Sequence, residues 1–382
     1  MSQTLPPLPL PPAIRSRQIN RVRGLSMHVL EAGDPAHPCI VLLHGFPELA
    51  FSWRDVMPTL AEAGYYVVAP DQRGYGRTTG ADTRYDTDLA PFRRLSLVED
   101  LAALLKALGV PRLACLVGHD LGAPVAAWAA LTKPELFGAV VLSSAPFAGP
   151  PSPSAKHHSG DELDAALAGL DPPRLHYQRY YGSAEADGDM LGAAQGLTAF
   201  LRGYFHLKSG DVAGPGPEPL TDATPQAYAR LPTYYVMERG RDMAQTVADA
   251  APDLTPVPWL TEEDLAVYVA EYGRTGFQGG LNWYRAAADP QLRIFHGKTV
   301  DIPATFIAGA RDFGVRQTPG AFEAMAASAC TRLIETPLIP GAGHWVHQEA
   351  PDAVSAAILA FLKSVAVADE DAQALQKPHY LL

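Results

Sequence analysis

The stretch Leu113-Ala-Cys-Leu-Val-Gly-His-Asp-Leu-Gly-Ala-Pro-Val125 decides how the rest of the chain is read. Residues 113–117 form a short apolar run closed by Gly118, the pattern of a buried parallel strand, and the small residues after Asp120 open a helix. The chain therefore turns sharply at Asp120. Gly118-His119-Asp120-Leu121-Gly122 is a glycine-flanked nucleophile elbow with aspartate where serine is usual. That substitution selects the chemistry. A serine alkoxide attacks a carbonyl and leaves an acyl ester, whereas a carboxylate displaces a leaving group at saturated carbon and leaves an alkyl ester, which water then hydrolyses at the enzyme's own carbonyl. For the pentapeptide alone, a turn whose aspartate caps the following helix is the competing reading.

Working outward, Cys39-Ile-Val-Leu-Leu is a second buried strand, ending at His44-Gly45-Phe46-Pro47, and 51–63 carries helical spacing. Tyr66-Val-Val-Ala-Pro leads into the glycine-rich loop from Asp71, a helix over 95–108 precedes the elbow strand, and Ala139-Val-Val-Leu-Ser-Ser follows the elbow helix. Residues 17–33 alternate loosely and read as an edge hairpin. Strands alternating with helices at this spacing predict an α/β fold, a mostly parallel central sheet with helices on both faces. The rhythm breaks from about 146 to 290, where proline and glycine clusters separate tyrosine-rich helical segments, so an inserted helical cap is expected. The resulting division is 1–146 first part of the core, 147–291 cap, and 292–382 second part of the core with a C-terminal tail. The core resumes at Ile302, with a helix expected over 319–328, a strand over 332–338 and a closing helix over 345–365. The proline-rich residues 1–13 read as a flexible or extended leader, and 366–382 as a loosely attached tail.

The 382 residues, 47% hydrophobic, suffice for a large core, and 30 Lys plus Arg against 41 Asp plus Glu give a net charge of −11. That balance disfavours nucleic acid and anionic membrane surfaces. No uninterrupted apolar run of membrane-span length and no signal-peptide pattern stand out, so no membrane span and a cytoplasmic location are expected. Cys39, Cys115 and Cys330 have no CxxC spacing and read as buried thiols.

His44-Gly-Phe-Pro, Asp71-Gln-Arg-Gly-Tyr-Gly, Gly118-His-Asp-Leu-Gly, His176-Tyr-Gln-Arg-Tyr-Tyr, Gly280-Leu-Asn-Trp-Tyr-Arg and Gly343-His-Trp, in this order, resemble the epoxide hydrolases of the α/β-hydrolase fold over residues 18–365. The general base of an elbow enzyme sits on a loop after the last strand, beside the nucleophile, and His344 in Gly341-Ala-Gly-His holds that place. His347, three residues on, is its nearest decoy. An acid that fixes the base's tautomer must fall between the two, and Asp312 fits, directly after the strand ending at Gly309 and in a loop resembling the family's. The strand ending at Ser143-Ser144, where some relatives keep this acid, offers no carboxylate. The N–H groups of Phe46 and Leu121 are the expected oxyanion donors. The resemblance implies a cis Phe46–Pro47 bond, with a trans turn as the alternative. Opening an epoxide also needs a donor for the departing oxygen, and Tyr177 and Tyr284 match the family's pair of cap tyrosines. Tyr180 and Tyr181 adjoin Tyr177, and a register error would exchange them. Phe147, Tyr204, Trp259 and Trp283 line the substrate pocket or pack within the cap.

The resemblance thus implies an epoxide hydrolase acting on a small-molecule epoxide. Haloalkane and haloacid dehalogenases share the triad but carry halide-binding tryptophan or arginines after the nucleophile, where Leu121 and Pro124 stand. A serine esterase would need serine at 120, and a non-catalytic binding protein would have lost a site member. No cofactor is implied and no metal: His157 and His158 are adjacent and chelate one ion poorly, and no phosphate loop or dinucleotide fingerprint occurs. The sequence assigns no oligomeric state.

Overall fold

The computed structural model describes residues 5–153, 160–220, 222–251 and 257–376; His157 and His158 lie outside them. Strands β1 (Ile14–Val22), β2 (Leu25–Ala32), β3 (Cys39–Leu43), β4 (Tyr66–Pro70), β5 (Cys115–His119) and β6 (Val140–Ser143) are followed by a long insertion carrying the hairpin β7 (Arg174–His176) and β8 (Val236–Glu238), then by β9 (Ala304–Gly309) and β10 (Leu338–Ile339). Eight of them form one sheet in the order β1-β2-β4-β3-β5-β6-β9-β10. β1 pairs antiparallel with β2, and β2 with β4; every other neighbour is parallel.

β3, β4, β5, β6 and β9 are buried along their whole length, which requires helices on both faces. The two-residue alternation divides their side chains. Val41, Val68, Leu116, Leu142 and Phe306 point into one core, shared with the helices Arg94–Leu108 and Gly122–Thr132 and with insertion residues such as Tyr181, Phe200 and Trp283. Ile40, Val67, Val117, Val141 and Ile307 point into the other, against Met57 and Leu60 of Met57–Glu62 and the final helix Pro351–Gln376. The parallel strands all end at one edge, where the catalytic candidates gather. Cys39, Cys115 and Cys330 are buried and free.

Several expectations are corrected. The helix expected over 51–63 is a short turn, Ala50–Trp53, followed by Met57–Glu62 with Pro58 in its first turn, where a missing N–H does no harm. The strand expected over 332–338 is reduced to Leu338–Ile339, preceded by single bridges from Cys330 to Val300 and from Leu333 to Ala304. The helix expected over 319–328 is the single turn Ala321–Ala324 running into a wider turn, Met325–Ala329. The closing helix is interrupted before Pro351, giving Val346–Glu349 and Pro351–Gln376, so residues 366–376 are helical rather than a loose tail. In the leader, Leu8 and Leu10 pack against both cores.

Pro351–Ala368 is long and apolar enough to cross a membrane by length and composition, at mean hydropathy 1.5, although Asp352, Ser355, Lys363 and Ser364 interrupt its apolar run. Here Val354, Ile358, Phe361, Leu362 and Val365 cover the sheet, while Ala356, Ala360 and Lys363 face outward. Ile358→Ala should cost about 2–5 kcal/mol in denaturant unfolding through the cavity it leaves, and Ala360→Ser less than about 0.5 kcal/mol. Equal costs would mean that this face does not carry the core.

Candidate active site

β5 delivers Asp120 to the sheet edge in the left-handed region, at φ +48°, a conformation that costs a non-glycine residue on the order of 1 kcal/mol. The glycines on either side make the turn possible. A Cβ at Gly118 would stand 2.3 Å from the Gly122 carbonyl oxygen, and one at Gly122 would stand 2.6 Å from that of Leu43. The loop after β3 closes over the carboxylate, so that a Cβ at Gly45 would be 2.4 Å from Asp120 Cβ. The Phe46 N–H donates to Asp120 Oδ1 at 2.9 Å, and Phe46–Pro47 is cis. Leu121, the other expected donor, follows Asp120 on the elbow and makes no hydrogen bond to this carboxylate among the described residues.

His344 Nε2 lies 3.6 Å from Asp120 Oδ2 and has no hydrogen-bond partner among the described residues. Its Nδ1 is 3.0 Å from Asp312 Oδ1. A carboxylate only accepts, so a proton on Nδ1 leaves Nε2 of the neutral ring free to take one. Burial alone would raise the Asp312 carboxyl, but the field and hydrogen bond of His344, the Ser144 hydroxyl and the Gly314 N–H hold it below its ordinary value. The Ser144 hydroxyl also stands 2.8 Å from His344 Nδ1; the position that offered no carboxylate supplies a hydroxyl to the same pair. The loop carrying His344 is tied down by Glu349, which accepts from the N–H groups of Gly210, Gly343 and Trp345 at 2.7, 2.8 and 2.9 Å.

A second buried cluster lies behind this one. His119 Nδ1 is 2.6 Å from Glu48 Oε2, and its Nε2 is 2.7 Å from the His344 carbonyl oxygen. Both partners are acceptors, so both ring nitrogens donate and His119 is an imidazolium. Burial would lower its pKa, but Glu48 outweighs this and pushes it up to about 9. His347 Nε2 lies 2.9 Å from Glu48 Oε1, and its ring stacks on Trp53 at 4.2 Å. The decoy histidine is thus turned away from Asp120, and burial holds it near pKa 4. These three side chains bring one carboxylate and two imidazoles within 4.8 Å, the ligand types of a transition-metal site; the donation of both His119 N–H groups closes the cluster as a hydrogen-bond network. Sequence reading missed Glu48, although a carboxylate directly after His-Gly-Phe-Pro, beside an apolar strand, was the available signal.

Tyr177 and Tyr284 enter from the insertion, their ring centroids 6.0 Å apart. Tyr284 stands edge-on to Phe46 at 5.6 Å, and the Tyr177 hydroxyl donates to Gln317 Oε1 and accepts from Gln178 Nε2, both at 3.2 Å. Burial, reinforced by the Asp120 charge, holds both phenols well above their ordinary pKa, so both are proton carriers at neutral pH. The neighbouring tyrosines are occupied elsewhere: Tyr180 donates to Asp189 and Tyr181 to Tyr204. Trp283 is buried and donates from Nε1 to the Arg73 carbonyl, Phe147 packs edge-on to Trp128, and Trp259 Nε1 donates to Asp211.

His119 has a folded pKa above its ordinary 6.5, so the stability gained from its charged form is full below about pH 6.5 and is lost as pH rises through about 9. The melting-temperature gap between wild type and His119→Gln should therefore be wide at about pH 6 and narrow by about pH 10. A gap independent of pH would contradict the imidazolium assignment.

The alpha/beta hydrolase fold family model matches residues 38–351. Epoxide hydrolase A of Mycobacterium tuberculosis is 35% identical over 362 residues, covering 89% of this chain and 94% of its own. Epoxide hydrolase 2 of Siraitia grosvenorii is 33% identical over 352 residues, 89% and 96% of the two chains. Among solved structures, an epoxide hydrolase from an endophytic Streptomyces superposes with a TM-score of 0.78 at 30% identity, covering 93% of this chain and 97% of its own. Epoxide hydrolase I of potato (Solanum tuberosum) gives 0.71 at 31% identity over 92% and 99%.

Proposed function

From a chain that belongs to the epoxide hydrolases of the α/β-hydrolase fold, we propose a two-step hydrolysis of an epoxide to a vicinal diol, with Asp120 as nucleophile. In the first step an Asp120 carboxylate oxygen attacks a ring carbon, the carbon–oxygen bond of the ring breaks, and the departing oxygen takes a proton from Tyr177 or Tyr284. An alkyl ester remains on Asp120. In the second, His344 Nε2 removes a proton from water, the hydroxide adds to the ester carbonyl carbon, and the resulting oxyanion is held by the N–H groups of Phe46 and Leu121. Asp312 stabilises the imidazolium, which gives its proton to the departing diol oxygen, and the water's other proton, left on the Asp120 carboxyl, passes to the tyrosinate and restores both groups. Every step uses the chain's own groups, the epoxide and water.

The observation that carries this reading is the position of Asp120: one carboxylate oxygen accepts from Phe46 N–H at 2.9 Å and the other lies 3.6 Å from the unpartnered His344 nitrogen. That arrangement keeps one oxygen beside the base and the other in a donor pocket. The two high-pKa phenols supply what an epoxide needs and a halide does not.

His344→Gln should still form the ester and fail to hydrolyse it, so intact-protein mass spectrometry should show enzyme plus epoxide accumulating. Unimpaired steady-state turnover by this variant would remove His344 from the role of base. Tyr177→Phe and Tyr284→Phe should each slow ester formation by about 10²-fold and the double variant should be nearly inactive. Ring opening at the wild-type rate by the double variant would reduce both tyrosines to packing.

A further inference from the structure

Lys208, the last residue of the insertion helix Leu197–Lys208, is 5% exposed. The other buried cations have carboxylates: Arg54 meets Asp264 at 2.9 Å, and Arg73 meets Asp100 at 2.6 Å. Lys208 has none. Among the described residues its ammonium has neither an ion pair nor a hydrogen-bond acceptor, and it lies among the rings of Tyr235, Tyr204, Tyr234, Trp345 and Tyr177 at 4.8, 5.1, 5.7, 5.8 and 5.9 Å from their centroids. Ring faces attract a cation but do not satisfy three N–H donors. The helix C-terminus favours a positive charge, yet an exposed lysine would serve that purpose without the cost of desolvation.

The place of this charge is the second observation. The Lys208 carbonyl accepts from the His344 N–H at 2.8 Å, so the residue is fixed to the loop of the base. Of the rings around it, Tyr177 is 6.0 Å from the Tyr284 ring and Trp345 is 4.5 Å from the His344 ring. Burial lowers the Lys208 pKa while Asp120, Asp312 and Glu48 raise it, which places the amine in the field of the nucleophile. This unpaired cation accompanies Tyr177 in a chain whose net charge is −11.

We propose that Lys208 is the anion anchor of the substrate pocket, and that the epoxides this enzyme is built for carry a carboxylate. The proposal rests on the epoxide hydrolase reading and adds its substrate class. A carboxylate supplies the acceptors that the aromatic cage lacks, and the ammonium offsets its repulsion by Asp120.

The test compares phenylglycidate with phenylglycidamide, which share an epoxide and differ in charge. Wild type should favour the acid in kcat/KM by at least about tenfold, the scale of one charge-assisted hydrogen bond, and Lys208→Met should bring the ratio close to one while Lys208→Arg keeps part of it. A wild-type ratio at or below one, or a folded Lys208→Met that keeps the full ratio, overturns the proposal. If Lys208→Met does not fold, competitive inhibition of wild type decides: phenylacetate should bind more tightly than phenylacetamide, and equal or weaker binding overturns the anchor. Turnover of the amide without preference for the acid overturns the anchor and leaves epoxide hydrolysis standing. Failure on both compounds and on styrene oxide overturns the two together.

Discussion

The left-handed turn at Asp120 is the constraint from which the rest of the site follows. An aspartate adopts it because Gly118 and Gly122 let the strand end, the helix start and the loop after β3 approach to within contact of one another. Gly45 permits the same approach from above, and the Phe46 N–H thereby reaches the carboxylate. A methyl group at any of these three positions would collide with backbone or with Asp120 itself. The carboxyl end of β5 then becomes the point where β3, β6 and β9 also terminate, so loops distant in sequence deliver their side chains to one place.

Charge is managed in two layers around that point. In front, Asp120, His344 and Asp312 lie in line, and their separations set which nitrogen of His344 carries a proton. Behind, His119 of the Glu48–His119 ion pair donates a hydrogen bond to the His344 carbonyl, so the position of His344 depends on a buried imidazolium more than 200 residues away in sequence. A buried pair of this kind adds little net stability, but breaking it leaves a lone charge in the core. Lys208 departs from this pattern: it is buried among aromatic rings and has no ion pair among the described residues.

How far the sequence could be read follows from the range of the interactions involved. The apolar strands, the elbow and the order of the loops are local patterns, and Asp120, Asp312 and His344 are legible as candidates because each sits a short step beyond a strand. The last helix was misjudged because residues 366–376 are polar on average, whereas the helix continues past the point where its apolar face ends. β10 was misplaced because a two-residue edge strand has too little periodicity to show. Ser144, Glu48 and Lys208 were missed for a different reason: their partners are set by tertiary approach, and no spacing announces that a hydroxyl, a carboxylate or an amine far apart in the chain will meet one histidine or one ring.

The account stands on Asp120 forming a covalent bond to substrate. A single turnover in isotopically labelled water, with excess enzyme over epoxide, tests this most directly, because water that attacks the ester carbonyl leaves its oxygen in the Asp120 carboxylate. The account predicts label in the peptide containing Asp120 and an unlabelled diol after that first turnover. Label in the diol with none in Asp120 would mean that water attacks the ring itself and would contradict it.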